Sequence, residues 1–467
     1  LSDFDWTVPV LVAGAGACGS VAALAAADAG VGVLVVERDD RPGGSTGMSQ
    51  GLVCAAGTRS QAAHGVADDA ATFFDDIMAK ARGKTDPVIA RTLAINSAPA
   101  LEWLIDRHAL PWELETRFRA SYGNTRPRLH GWPGHSGLDM VQLLHARMAD
   151  AGVDVLFDTR LVEIVADADG RVRGVALERP DGAIERVGCE TLILACGGYG
   201  ANRAMTDRYA PETRALRYNG HEGSEGDAIT LGEKLGAALG DMGSYQGYAM
   251  LTDPQGISVP PPVLLEGGLI VNAHGARFTD ETADIAGMVH PLTEQPDGIG
   301  WVIYDAAIEQ RCAAIPELAT LIELHAAKSA DTPEALAALI GADPSMLTDA
   351  IKRAQGAGAG SAPDPLGRDW TGTQPPSAPF RALRVIGALY HTQGGLQVDA
   401  EARVLRPDGS RLPNLFAGGG SARSVSGPSS WGYLPAMGLT TAVTLGWISG
   451  RAAAALAAGR TEQSVES

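Results

Sequence analysis

The chain has 467 residues, 45% of them hydrophobic, which is enough apolar material for a large core spread over two or three domains. Its 37 basic residues against 55 acidic ones give a net charge of −18 with no basic stripe, which argues against nucleic acid as a partner. Five scattered cysteines (Cys18, Cys54, Cys189, Cys196, Cys312) form no CxxC or CxxCH pattern, which argues against zinc, iron–sulfur and c-type haem sites and fits reduced thiols in a cytoplasmic protein.

No charged-then-apolar leader opens the chain. An apolar run of β-formers beginning at Val8 ends in Gly14-x-Gly16-x-x-Gly19, followed by an alanine-rich helical stretch and a second apolar run closing at Glu37. Strand, turn, helix, strand and acid in this register make the βαβ dinucleotide fingerprint. Gly14 permits the tight turn, Gly16 lets the backbone approach a pyrophosphate, and Gly19 lets helix and strand pack closely. The helix start offers its N–H groups to the phosphates, and Glu37 accepts hydrogen bonds from a ribose.

A turn with Arg41-Pro42-Gly43-Gly44-Ser45-Thr46 comes next, and apolar spacing predicts helices within 67–107. The Gly-, Pro- and His-rich stretch 121–137, holding Tyr122, His130, Trp132 and His135, reads as a loop before a helix over Leu138–Ala151. Short strands with turns at Asp169-Gly170 and Asp181-Gly182 lead to a buried strand, Thr191–Ala195, and the Gly197-Gly198 turn. A further Gly-rich turn with Asp227 opens a helix. From Tyr245 to Phe380 the character changes: Pro260-Pro261-Pro262, short strands, two helices between Pro333 and Gly356, then a loop to Pro376. That region is read as an inserted second domain. The C-terminal part returns to the first style, with a hairpin at Asp408-Gly409, a strand, Gly418-Gly419-Gly420 and a closing helix. Arg451 breaks the last apolar stretch, Leu439–Leu456, so no membrane span is expected.

Seven of these stretches, in this order, resemble one superfamily: the FAD-dependent fumarate reductase/succinate dehydrogenase flavoproteins and the 3-ketosteroid dehydrogenases. They are the opening turn with Glu37, RPGGST, LILACGGYGAN, GSEGDAITLGEKLGAALGDM, GGLIVNAHGARFTDE, PDPLGR with the helices before it, and HTQGGLQVD with LPNLFAGGG. The resemblance implies an α/β fold in which a Rossmann-like FAD-binding domain, from residues 1–244 and 381–467, carries an inserted α+β capping (substrate) domain over 245–380. It implies FAD contacts at Gly14, Gly16, Gly19, Glu37, Arg38, Gly43, Gly44, Ser45, Thr46, Gly197, Gly198, Asp227 and Gly419. Succinate dehydrogenases attach FAD through a His after the GG-S turn. Thr46-Gly47-Met48-Ser49 holds none, so non-covalent FAD is expected.

Two branches of the superfamily differ in their site residues. The fumarate-reductase branch uses a cap arginine soon after R-F-x-x-E and a C-terminal arginine that clamps a carboxylate. Here Arg277-Phe278-Thr279-Asp280-Glu281 is followed by no Arg, and the C-terminal region reads SSWGYLPAMGLTTA. The ketosteroid branch uses tyrosines, and Trp431-Gly432-Tyr433-Leu434-Pro435 resembles its tyrosine-bearing turn. Tyr433 is the first catalytic candidate, followed by Tyr390, Tyr122 and Tyr248; each also reads as a core aromatic with a satisfied hydroxyl. A depressed pKa would suit a tyrosine base. His391-Thr392 matches the carboxylate branch, in which the His helps bind a carboxylate, and Arg423 offers a counter-charge. The expected function is desaturation of the α,β bond of a cyclic ketone, 3-ketosteroid-like or an oxo-cycloalkane carboxylate. The alternatives are an enoate reductase or dehydrogenase of a di- or tricarboxylate, and a flavin-bearing electron carrier. No second dinucleotide fingerprint is present, which leaves oxygen, a quinone or an electron-transfer protein to exchange the electrons.

Overall fold

The computed structural model describes residues 4–117 and 119–465. The opening strand β1 (Trp6–Ala13), helix α1 (Ala17–Asp28) and strand β2 (Val33–Val36) form a parallel βαβ unit in which Val10 pairs with Val33 and Ala13 with Val36. The last four residues of β1 and all of β2 are buried, which explains their unbroken apolar character. Helix α1 is buried from Ala17 to Ala26, so it is apolar all round rather than amphipathic.

Parallel strands Arg411–Ala417, Ile184–Leu194, β1, β2 and Asp154–Leu156 lie side by side in that order. Arg403–Leu405, Val172–Glu178 and Arg160–Ala166 extend the sheet to eight strands by antiparallel pairing. The C-terminal helix (Met437–Val465) packs on α1 through Gly446 and Gly450. A Cβ on Gly446 would stand 2.5 Å from the Cys18 carbonyl oxygen, and one on Gly450 would stand 2.2 Å from that of Ala22. Two glycines one turn apart thus bring the helices backbone to backbone, and the two ends of the chain close over one sheet.

A second, six-stranded sheet is built on the thirteen-residue strand Phe380–Thr392. Tyr245–Thr252, Ile299–Asp305 and Lys328–Ala330 pair with it antiparallel, Arg217–Tyr218 parallel, and Leu269–Asn272 continues beyond Ile299–Asp305. This central strand runs past position 380, so the second sheet continues into the C-terminal part and its strand ends on Tyr390-His391-Thr392. The helices Pro333–Ile340 and Pro344–Gly358 start on capped N-termini, Thr332 and Asp343, and cover this sheet.

The stretch 121–137, read from sequence as a loop, contains the strand Leu129–Gly131, which pairs with Val53–Cys54 and Glu113–Leu114. Arg128 anchors it: its fully buried guanidinium bonds Asp68 (2.8 Å) and Asp76. Three isolated residue identities, far apart in sequence, decide this, and no local pattern signals it. Among the described residues no helix is long and apolar enough to cross a membrane.

Candidate active site

A cavity of about 440 Å³ runs from the first βα turn to the start of the C-terminal helix. At one end the three fingerprint glycines divide their work. Gly14 has φ +103, and a Cβ there would sit 2.3 Å from the Ala195 carbonyl oxygen. On Gly16 a Cβ would approach Thr46 Oγ1 at 3.1 Å. Gly19 does not line the cavity; its Cβ would fall 1.8 Å from the Gly14 carbonyl oxygen, so it serves helix–turn packing. Glu37 accepts the backbone N–H of Ala15 at 2.7 Å and of Asp39 at 3.0 Å, holding its carboxylate at the turn. Thr46 accepts the Ala17 N–H at 2.9 Å.

Gly44, Ser45 and Thr46 line the same trough, whereas Gly43 precedes the short helix Gly44–Gly47 without lining it. Gly197 and Gly198 meet Gly419 and Gly420 across it; a Cβ on Gly420 would lie 2.6 Å from the Gly198 nitrogen. Arg38 and Asp227 also line the cavity, but as members of an ion network: Arg38 bonds Glu225 at 3.0 Å, and Asp227 bonds Arg160 at 2.9 Å. A side-chain-bare trough, a helix start and a fixed carboxylate suit an extended dinucleotide, so the residues present fit FAD.

The other end gathers Tyr433, Tyr390, Tyr248, Tyr122 and His391, which lie more than 300 residues apart in sequence at the extremes. Tyr390 and Tyr248 stack with ring centroids 5.0 Å apart. Tyr390 shares a short hydrogen bond with Ser258, and Tyr248 donates to the Val259 carbonyl at 2.5 Å. Tyr122, at φ +56, is buried with no hydrogen-bond partner for its hydroxyl among the described residues. Burial pushes all four phenols up, Tyr433 against a partial offset from the Gly438 amide. A depressed tyrosine, which would have suited a base, is therefore not what the cavity holds; neutral hydroxyls are.

His391 is half-buried at the cavity wall, and desolvation there pushes it down to about 4, so the ring is neutral at physiological pH. Its Nδ1 accepts from Gln393 Nε2 at 2.9 Å, which places the proton on Nε2. Its ring meets Tyr433 edge-on at 5.8 Å. A Cβ on Gly438 would stand 3.1 Å from His391 Nε2 and 3.8 Å from Tyr433 Oη, so the first turn of the C-terminal helix approaches both groups. Ala436, just before that helix, is left-handed at φ +64 and lines the cavity, a strained residue at the helix start.

Arg423 lies outside the cavity lining and is held by Asp241 (2.7 Å) and Asp86 (3.2 Å), so it supplies no counter-charge to the site. His130 is structural, with Thr58 at 2.9 Å and the Arg128 carbonyl at 2.9 Å on its two nitrogens. His135 reaches the cavity in company with Glu115 and Arg117. Pro260, Pro261 and Pro262 line the cavity, while Trp132 packs edge-on against Trp112 at 5.4 Å outside it. Sequence reasoning missed Gln50, Arg119, Ser258, Glu317 and Gln393, all cavity residues. Gln393 alone had a local signal, two places after His391 on the same strand end.

The family model described as the FAD binding domain matches residues 9–431. A probable fumarate reductase of Shewanella frigidimarina is 28% identical over 448 residues, 96% of this chain and 75% of that protein. The urocanate reductase of Eggerthella lenta is 28% identical over 460 residues, again 96% and 75%. Among solved structures, the open conformation of a flavocytochrome c3 fumarate reductase superposes with a TM-score of 0.80 at 27% identity, over 98% of this chain and 79% of that one. The 3-ketosteroid-Δ4-(5α)-dehydrogenase of Rhodococcus jostii RHA1 shares the fold, with a TM-score of 0.78 at 24% identity over 97% and 98%. The chain belongs to the FAD binding domain family and is an FAD-dependent oxidoreductase.

Proposed function

We propose that this FAD-dependent oxidoreductase desaturates the Cα–Cβ bond beside the carbonyl of a cyclic ketone that carries no carboxylate. The observation that supports this most is the chemistry of the enclosed end: four neutral phenols and a neutral imidazole line it. Arg277, Arg368 and Arg423 stay out of the cavity lining and are held by carboxylates: Arg277 bonds Glu281 and Asp364, Arg368 bonds Glu281, and Arg423 bonds Asp241 and Asp86. A carboxylate taken out of water needs a cation or several strong donors, whereas a ketone oxygen needs one or two hydrogen bonds.

Bound flavin supplies hydride acceptance. Tyr433 stays protonated at neutral pH and donates to the ketone oxygen, polarising the carbonyl. The His391 Nε2–H is the second donor beside it. The Gly438 end of the C-terminal helix adds backbone dipole of the right sign. The stacked Tyr390 and Tyr248, with Pro260–Pro262, form the apolar wall that orients a ring. FAD is held without a covalent bond, so acid precipitation leaves flavin in the supernatant; flavin in the pellet would reject that.

A second reading keeps the enoate-reductase chemistry suggested by the fumarate and urocanate reductase relatives. Its cation is Arg119, an exposed cavity residue whose guanidinium bonds the Thr371 and Leu265 carbonyls. One experiment separates the two. Anaerobic holoenzyme is mixed with ring ketones, and separately the dithionite-reduced form is mixed with fumarate, urocanate and other enoates. Bleaching by a ring ketone supports the first reading. Reoxidation by enoates, with no ketone able to bleach the flavin, establishes the second.

A further inference from the structure

Glu317 stands at the start of helix Pro316–Glu323 and lines the same cavity. Gln50, from the segment after the Gly43–Thr46 turn, donates its Nε2–H to Glu317 Oε1 at 2.6 Å. The other oxygen, Oε2, is buried with no hydrogen-bond partner among the described residues. Glu317 makes no ion pair among them either. A buried carboxylate oxygen left unpartnered is destabilising, more so when it carries charge. If the residue served only to hold Gln50, a glutamine would do so without that cost. A second orphan stands on the same cavity, the Tyr122 hydroxyl, which can give or accept a hydrogen bond.

The placement of Glu317 distinguishes it from the carbonyl-binding groups. Glu317 is tied to Gln50 at 2.6 Å, whereas His391 and Tyr433 flank the first turn of the C-terminal helix at Gly438. A ring held against the stacked tyrosines would therefore have Tyr433 and His391 toward one end and Glu317 toward another.

We propose that Glu317 is a specificity-determining residue whose Oε2 receives a hydrogen-bond donor, a hydroxyl or an ammonium, carried by the substrate away from its reacting carbonyl. This rests on the ring-ketone reading above and narrows it: the substrate is a cyclic ketone with a second, donor-bearing end. An acceptor-only group there, a second ketone or an ether, is rejected because it would face a carboxylate. A carboxylate on the substrate is rejected by repulsion as well.

The test uses FAD-loaded enzyme and matched ring ketones of one to four rings that differ only in hydrogen, hydroxyl or amino at the position farthest from the carbonyl. Binding is followed by the perturbation of the oxidised flavin spectrum, whether or not the ligand reacts. Wild type is expected to prefer the amino and hydroxyl members over the hydrogen member by about ten- to a hundredfold in at least one ring size. In Glu317→Gln the carboxamide still accepts from Gln50 but presents N–H where Oε2 stood. It is expected to keep most of the hydroxyl preference and to lose the amino preference. Glu317→Leu is expected to lose both. Flavin content and melting temperature of each variant establish that it is folded. Equal binding of all three members in wild type at every ring size, or the same rank order in Glu317→Gln, overturns the proposal. The two readings fail separately. Donor-selective binding without flavin bleaching removes ketone desaturation and leaves the role of Glu317 standing; bleaching without donor selectivity does the reverse.

Discussion

Gln393 donates its side-chain N–H to His391 Nδ1 at 2.9 Å, and Ser426 donates in turn to Gln393 Oε1 at 3.1 Å. The relay fixes the imidazole proton on Nε2, toward Gly438 and Tyr433, and desolvation keeps the ring without charge. Replacing the amide by a carboxylate reverses the preference. In Gln393→Glu the imidazolium gains an adjacent counter-ion, so His391 is expected to titrate at least one unit above its present value of about 4. An NMR titration of the His391 ring reads this directly. An unshifted ring would mean that Gln393 does not govern its protonation.

Tyr433→Phe removes the phenol donor and little else, because the ring remains to pack against His391. Anaerobic flavin bleaching by a ring ketone is expected to slow by about 10²–10⁴-fold. Flavin content and melting temperature should stay at wild-type values. Undiminished bleaching would place carbonyl recognition elsewhere.

The glycines of the first turn are expected to differ from one another. Gly14→Ala puts a methyl 2.3 Å from the Ala195 carbonyl at φ +103, and Gly19→Ala puts one 1.8 Å from the Gly14 carbonyl. Both should yield unstable protein. Gly16→Ala meets only the Thr46 hydroxyl at 3.1 Å, so it should fold and bind FAD more weakly. Flavin-to-protein ratio and thermal melts separate these outcomes, and a flavin-replete Gly14→Ala protein would contradict the geometry.

Arg423→Ala leaves Asp241 and Asp86 without their guanidinium and should destabilise the fold by about 1–3 kcal/mol. Because Arg423 lies outside the cavity lining, KM for any accepted substrate should be unchanged. A raised KM for carboxylates at unaltered stability would return Arg423 to the site.

Acid should weaken the fold through two desolvated imidazoles. Desolvation lowers His130 and His391 from 6.5 to about 4. With folded values below unfolded ones, the unfolded chain takes up the extra protons. Stability is therefore fully present above pH 6.5 and falls as pH drops toward 4, by about 3 kcal/mol for each histidine. Denaturant unfolding at pH 7, 6 and 5 measures the slope, and a flat profile over that range would exclude the effect.

The opening βαβ unit, the helices within 67–107, the hairpin at Asp408-Gly409 and the closing helix were legible because their signals are local. Strand and helix periods, turn residues and glycine spacing lie within a few residues of what they specify. A dinucleotide site was legible for the same reason, since Gly14, Gly16, Gly19 and Glu37 lie in one continuous stretch, while FAD in particular followed from the resemblance of the Gly43–Thr46 turn and the C-terminal motifs. The strand Leu129–Gly131 was hidden in a Pro- and Gly-rich run because its order comes from Arg128 reaching Asp68 and Asp76, contacts made across 50 to 60 residues.

The sequence by itself determined the family pattern, the FAD trough and the tyrosines as catalytic candidates, since each depends on residue types at short, readable spacings. Only the tertiary structure decided which charges face the cavity. Arg423 turns to Asp241 and Asp86, Asp227 to Arg160, and Glu317 keeps one oxygen without a hydrogen-bond partner among the described residues. Burial raises the phenols and neutralises His391. Those are properties of packing and desolvation, set by side chains that meet from distant parts of the chain, and no spacing along the sequence records them.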